Sequence, residues 1–358
     1  MDEWTQSLLK ELTEAPGVPG YEGDIRRIVR EKMQGMAEIE CDNLGSIICA
    51  ARGAADAPRI MIPGHMDEVG FMVKLVTKEG FLRFWPLGGW WSQVILGQRV
   101  QVFGTKGPVT GIVGSKPPHI LPAEERKKPI ELKDMFIDIG ASSEEQVKKM
   151  GVRVGDPVVP VCPFEKLSSG LLLAKAWDDR VGVALFMDVI RALSGGAHPN
   201  TVYGVGTVQE EVGTRGAKTA AHAVDPDVCL VAEVGIAGDT PGVKPEDAKG
   251  DLGKGPQINV LDGGMIPHLA LRNLVYEVAE AEKIPYQVTG LTGGTTDGRP
   301  IHLHARGVPT IYIGVPARYI HTHAGIISAD DYDNAVKLLV EVVKRLDAPA
   351  VAKLKDAG

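Results

Sequence analysis

Apolar positions change their spacing along this chain, and the changes mark out its elements. The opening stretch reads as two amphipathic helices separated by the turn Ala15-Pro-Gly-Val-Pro-Gly20. The second, over residues 24–33, has Ile25, Ile28 and Val29 on one face, the spacing of a helix with one buried side. Two strands are expected next, over 45–50 and 59–63, the latter running into Gly64-His65-Met66-Asp67. Between about 71 and 164 helical spacing nearly vanishes. Short β-rich stretches at 80–85, 99–103, 109–114 and 157–161 are broken by glycine and proline, a texture that predicts a small β-barrel or sandwich. Beyond Leu167 the chain alternates again: helix 179–193, strand 202–208, helix 215–223, strand 228–232, helix 266–282, strands 286–289 and 309–314, and helix 330–346. Ser328 is placed to cap that last helix, with Asp331 at its third position.

The simplest organisation is one α/β domain built from residues 1–69 and 166–358, interrupted by a β-rich insertion at 70–165. A chain of 358 residues has the length for two such units. Apolar residues make up 44% without a run long enough to cross a bilayer, so a soluble protein with no membrane partner is expected. The first residues, MDEWTQSLLKELTE, lack the basic flank and apolar stretch of a signal peptide, which points to the cytoplasm. Cys41, Cys49, Cys162 and Cys229 form no CxxC pair and read as reduced, mostly buried thiols. A net charge of −7 and the lack of a basic stripe argue against nucleic acid as a partner.

Candidate chemistry comes from acids and histidines at the ends of the expected strands. His65 has Asp67 two residues on, and a ligating imidazole usually donates its second N–H to a carboxylate, which fixes its tautomer. Taken singly, His65 reads more readily as a hydrogen-bonded structural residue than as a ligand, and Trp177-Asp178-Asp179-Arg180 as a helix start whose acids oppose the macrodipole. Glu210-Glu211 follows the apolar run 202–208, and two adjacent carboxylates there repel unless a cation neutralises one. Glu233 and His321 follow further strands in the same way. The set is stronger than its members, because the C-terminal ends of strands are where open α/β sheets bind ligands. Histidines and carboxylates at such an edge match the ligand sets of zinc, cobalt or manganese. Charge balances as well: two divalent ions stand against Asp178, Glu211, Glu233 and a bridging hydroxide. Glu210 is then free to serve as general base. Neither a GxSxG elbow nor a P-loop occurs. Gly293-Gly-Thr-Thr-Asp-Gly298 either lets backbone approach a substrate or makes a tight turn.

Five motifs resemble, in order, those of the tetrahedral aminopeptidases, the glutamyl/deblocking family of co-catalytic metallopeptidases. They are Gly64-His-Met-Asp-Glu-Val-Gly70, Asp178-Asp-Arg-Val-Gly182, Gln209-Glu-Glu-Val-Gly-Thr-Arg-Gly-Ala217, Gly238-Asp-Thr-Pro-Gly242 and Arg318-Tyr-Ile-His321. Gly114-Ser-Lys-Pro-Pro-His119 is similar to the family's pattern too. The resemblance implies a zinc-peptidase-like α/β/α sandwich with a mixed sheet, an inserted β-barrel dimerisation domain and often a tetrahedral dodecamer. It implies that Asp178 bridges two metals, that His65 and Glu233 complete one site, and that Glu211 and His321 complete the other. Glu210 would be the base, Asp67 would orient His65, and the Asp178–Asp179 peptide would be cis. The sequence departs from the family in two places. Glu233 stands where most such aminopeptidases have Asp, and Glu there goes more often with carboxypeptidases and deacylases. Thr-His-Ala-Gly follows His321 in place of Ser-Pro-x-Glu, which adds His323.

The expected activity is therefore hydrolysis of the N-terminal peptide bond of short peptides by a metallo-aminopeptidase with two divalent ions, zinc first and cobalt or manganese as alternatives. The alternatives are an N-acyl-amino-acid deacylase or carboxypeptidase, favoured by Glu233, and a glycoside hydrolase working through paired carboxylates without metal. On the substrate side the candidates are His119, Asp297, Arg299, Arg318 and His323. The arginines would favour acidic ends, and His119 either reaches a neighbouring subunit's site or is an ordinary turn histidine. A β-rich insertion of this size is a natural assembly surface, so a homo-oligomer is expected.

Overall fold

The computed structural model describes residues 1–356. Side chains in a strand point alternately to its two faces, and that alternation builds two helical layers on one sheet. In strand Arg59–His65, Ile60 and Ile62 join the core that holds helix Trp177–Leu193. Met61 joins a second core, with Ala217, Ala220 and Ala221 of helix Arg215–Val224. Strand Val228–Ile236 divides likewise, Leu230 and Ala232 to the first core and Cys229 and Val231 to the second. The result is an α/β/α sandwich around an 11-stranded mixed sheet.

The middle of the sheet is parallel. Thr201–Thr207, Arg59–His65, Val228–Ile236 and Thr310–Arg318 lie side by side in that order, so their C-terminal ends share one edge, where α/β sheets bind ligands. Antiparallel strands flank them: Ile47–Arg52 and Glu38–Cys41 on one side, Gly325–Ser328, Leu171–Ala174 and Glu165–Lys166 on the other. Helix Ala329–Arg345 opens at the expected cap, with Ser328 Oγ accepting the Asp331 amide at 3.4 Å.

The β-rich region forms a closed barrel. Its strands, in order around the barrel, are Gly70–Val76, Leu82–Leu87, Phe136–Asp138, Gly107–Gly114, Arg99–Gly104 and Pro157–Pro160. Closure leaves no free edge to pair with another chain. The barrel has a core of its own, with Phe71, Val73, Leu82, Val100, Val102 and Ile137 among its buried residues.

Several expectations change. The strands expected to end at 232 and 314 run on to Ile236 and Arg318, because Glu233, Gly314 and Pro316 interrupt the apolar pattern without interrupting the pairing, Val234 lying opposite Val315 and Ile236 opposite Ala317. The helix expected from 266 starts at Leu269, since Pro267 lies outside it and His268 caps it. Short strands such as Gln257–Asn259 and Gly325–Ser328 carry too few residues to show a period. Of the four thiols only Cys49 and Cys229 are buried; Cys41 is exposed and Cys162 half-buried. Among the described residues no helix is long and apolar enough to cross a membrane.

Candidate active site

The site is assembled where a helix start meets the strand ends. Gly64 and Gly182 permit the contact: a Cβ on Gly64 would lie 2.3 Å from the Gly182 carbonyl carbon, and one on Gly182 would lie 2.3 Å from the Ala232 oxygen. Only bare backbone lets helix Trp177–Leu193 come so near the sheet. That approach brings Asp178 and Asp179, joined by a cis peptide, against the end of strand Arg59–His65. Asp179 Oδ2 accepts the His65 amide at 3.0 Å and its Oδ1 accepts the Gly182 amide at 2.8 Å.

Asp178 lies between two histidines. Its Oδ1 is 2.9 Å from His65 Nε2 and its Oδ2 is 3.2 Å from His321 Nε2. Glu233 Oε2 is 4.0 Å from His65 Nε2, and Glu211 Oε1 is 3.4 Å from His321 Nε2. Two sets result, His65–Asp178–Glu233 and Asp178–Glu211–His321, each with ligand atoms within 4.8 Å of one another. The five residues expected to converge do so. Glu210 belongs to neither set; its Oε2 lies 3.8 Å from His65 Nε2, and it lines the cavity in front of them.

The electrostatics fit a cation in each set. Burial, then the Asp178 charge, pushes Glu211 up to about 8. Burial and the Asp179 charge carry Glu233 well above its ordinary value. Glu210 is raised well above by burial, with Asp297 and Glu211 adding to it. Burial pulls His321 down, yet its bond to Asp178 and the charges of Asp178 and Glu211 lift it to about 10. Acids that resist ionising, histidines that resist losing a proton and a buried Glu211 Oε1 without a hydrogen-bond partner describe a donor set awaiting positive charge. Divalent ions bound by nitrogen and carboxylate oxygen fit these residues.

Asp67 acts differently from the sequence expectation. His65 Nδ1 bonds the backbone oxygen of Asp67 at 3.0 Å, while the Asp67 carboxylate stands 3.7 Å away. That carboxylate is engaged elsewhere, its Oδ1 and Oδ2 accepting the amides of Glu210 and Glu211 at 3.0 Å each. Asp67 thus orients His65 through its main chain and holds the two-glutamate loop through its side chain.

The barrel segment contributes as well, which the sequence did not disclose. Gly89 O accepts from His321 Nδ1 at 2.7 Å, and a Cβ on Gly88 would lie 2.9 Å from Glu211 Oε2. The available signal was the glycine pair itself, set between Leu87 and Trp90.

The cavity encloses about 950 Å³ and runs from the two sets to a wall that includes Gln257, Asn259, Asp262, Thr295 and Arg299. Gly293 and Gly294 line it, so the glycine-rich segment does bring backbone to the cavity. The other substrate-side candidates are placed apart from it. Asp297 is buried behind the wall, with its carboxylate on the Thr207 hydroxyl. Arg318 is held by Asp239, its Nε 2.8 Å from Oδ1. His119 is exposed in the turn Pro118–Ile120. His323 is half-buried, and its Nδ1 has no partner among the described residues.

Behind the site, Lys175 Nζ lies 2.6 Å from Glu68 Oε1 and Arg180 lies 3.2 Å from the same oxygen, all three buried. Glu68→Gln leaves two buried cations facing a neutral amide. Burial already draws Lys175 down to about 8, so it can shed its proton and limit the damage. The expected loss is about 3 kcal/mol, the low end for a broken buried pair. A denaturant midpoint unchanged in the variant would contradict this.

The sequence profile described as M42 glutamyl aminopeptidase matches residues 45–338, and one described as AMPT matches residues 3–28. A lysyl aminopeptidase of Pyrococcus furiosus is 36% identical over 358 residues, spanning 97% of this chain and 99% of that protein. A TET aminopeptidase structure from the marine sediment archaeon Thaumarchaeota archaeon SCGC AB-539-E09 has 50% identity and a TM-score of 0.97, covering 98% of this chain and 99% of that one. The Pyrococcus horikoshii TET1 peptidase, which can assemble into a tetrahedron or a large octahedral shell, has 31% identity and a TM-score of 0.87, covering 96% and 100%. With the profile match and these full-length likenesses together, the chain belongs to the M42 glutamyl aminopeptidase family.

Proposed function

We propose that this chain removes N-terminal residues from short peptides with two divalent ions, zinc first and cobalt or manganese as alternatives. His65, Asp178 and Glu233 would hold one ion, and Asp178, Glu211 and His321 the other. The single observation that carries the reading is Asp178, which turns one carboxylate oxygen to each histidine. Bound there, the ions would polarise the scissile carbonyl and make the attacking water more acidic. Glu210 takes a proton from that water and returns it to the departing amine, a transfer that its place beside His65 and on the cavity wall supports. The free α-amine of a peptide would bind the more open of the two ions or a nearby carboxylate of the cavity.

Glu233 favours a second reading, an N-acyl-amino-acid deacylase or carboxypeptidase. A panel of free and N-blocked peptides separates the two: cleavage of free N-termini is expected, and cleavage of blocked peptides alone would reject the aminopeptidase assignment. The family description and the Pyrococcus furiosus relative name different N-terminal residues, glutamyl and lysyl, so neither sets the preference of this chain.

The insertion at 70–165 serves assembly in this reading. Leu75, Trp85, Trp91, Ile112 and Ile120 are exposed on it, apolar side chains that a partner subunit would cover. With TET1 as the relative that assembles into a tetrahedron, a homo-oligomer, and in its fullest form a tetrahedral dodecamer, is the proposed state. His119 is exposed on the same insertion and would approach a neighbouring subunit in such an assembly.

A further inference from the structure

One carboxylate outside the two metal-ligand sets reaches the loop that carries Glu210. Glu22 stands immediately before helix Gly23–Met33, and its side chain makes no capping bond to that helix. Its Oε1 instead accepts the Gly20 amide at 2.7 Å and the Gln209 amide at 3.0 Å. Gln209 has a φ of 56°, a left-handed conformation that a residue with a side chain keeps only when its surroundings hold it. The next two amides, of Glu210 and Glu211, donate to Asp67. Three consecutive amides are therefore held by two buried acids, Glu22 at 4% exposure and Asp67 at 0%.

Two acids buried so close together need a counter-charge, and Arg180 supplies it. Burial lowers the Arg180 pKa, against which Glu68, Asp67 and Glu22 hold the guanidinium charged. The same guanidinium bonds the Ala15 and Gly17 carbonyls at 3.1 Å each, and the Glu68 amide bonds Gly17 O at 2.9 Å. The N-terminal turn is thereby fastened behind the catalytic loop, with Glu22 as its point of contact.

We infer that Glu22 is a positioning residue for catalysis: by holding Gln209 in its left-handed turn, it sets the direction in which the Glu210 side chain enters the cavity. This rests on the reading of Glu210 as general base. A role confined to the N-terminal turn requires only the Gly20 amide; the bond to Gln209 is what such a role leaves unexplained. Without that bond Gln209 keeps only its contacts to Arg215, whose amide and guanidinium bond its main-chain and side-chain oxygens at 3.3 and 3.1 Å; its left-handed turn is loosened, and the Glu210 carboxylate shifts while Asp67 keeps the loop near its place. Damage then falls on the chemical step rather than on peptide or metal binding.

The test uses metal-loaded holoenzyme, with kcat and KM on one unblocked tetrapeptide, metal content and thermal midpoint. Glu22→Ala is expected to lower kcat per metal-loaded subunit by about ten- to hundredfold, the scale of a misplaced catalytic group. KM is expected to stay within about threefold, because uniform binding is untouched. Glu22→Gln keeps the acceptor oxygen and is expected to recover kcat to within about threefold of the parent. A parental kcat in Glu22→Ala, or equal losses in the alanine and glutamine variants, overturns the inference. Should Glu22→Ala not fold, Glu22→Asp decides: the charge stays but the reach to Gln209 shortens, so a kcat loss supports the inference and a parental kcat overturns it. A Glu210→Gln protein that turns over normally overturns the general-base reading and this inference with it. An inactive Glu210→Gln beside a fully active Glu22→Ala overturns the inference alone.

Discussion

Glu210→Gln is expected to lower kcat by about 10³-fold or more while both ions stay bound. The substitution keeps the side chain's volume and its place in the cavity, and it removes a carboxylate that stands beside His65 yet belongs to neither metal-ligand set. General acid–base catalysis is ordinarily worth about 10²–10⁴-fold, and Glu210 carries both halves of the transfer, from water and to the leaving amine. Substrate binding depends on other groups, so KM is expected to move little. The measurement is steady-state kinetics joined to metal analysis on the same preparation. Loss of activity together with loss of metal would place Glu210 among the ligands and remove its assigned role.

Asp178→Ala is expected to empty both sites. Each oxygen of Asp178 faces a different histidine, so its removal takes an acid from each set at once. Metal content should fall below one ion per chain and turnover by about 10³-fold or more. Glu211→Ala and Glu233→Ala are different in kind, since each takes an acid from one set only. They should retain one ion. A protein whose Asp178→Ala variant keeps one ion at full occupancy would have two independent sites, not a shared ligand. Loss of the ions should also lower the thermal midpoint, because ligands that bind only the folded chain stabilise it by mass action.

The fold class was legible because the change of apolar spacing is strong: helical at both ends, broken and β-rich between. The convergence of His65, Asp178, Glu211, Glu233 and His321 was legible because parallel strands put their C-terminal ends on one edge, so residues far apart in the chain can be placed together from strand ends alone. Strand ends themselves were less legible. Glu233 looked like the residue after a strand, whereas it sits inside one opposite Gly314; a charged residue ends an apolar run without ending a hydrogen-bond ladder. Contacts that depend on tertiary approach left no periodic trace. Gly89 meets His321 across 232 positions of sequence, and Glu22 meets Gln209 across 187. Part of the cavity wall was legible in the Gly293–Gly298 segment and Arg299; the rest was not, since Gln257 and Asn259 lie on a three-residue strand and Asp262 on a loop. Arg318 looked free in the sequence and proves to be paired with Asp239, because an ion pair between distant residues has no local signature.

The most direct test of the central claim is to strip the protein of metal with a chelator and titrate zinc back while following hydrolysis of an unblocked peptide. The two-site assignment predicts no turnover in the stripped protein and a rise that saturates at two ions per chain. Full turnover after stripping, or saturation at a single ion, would contradict it.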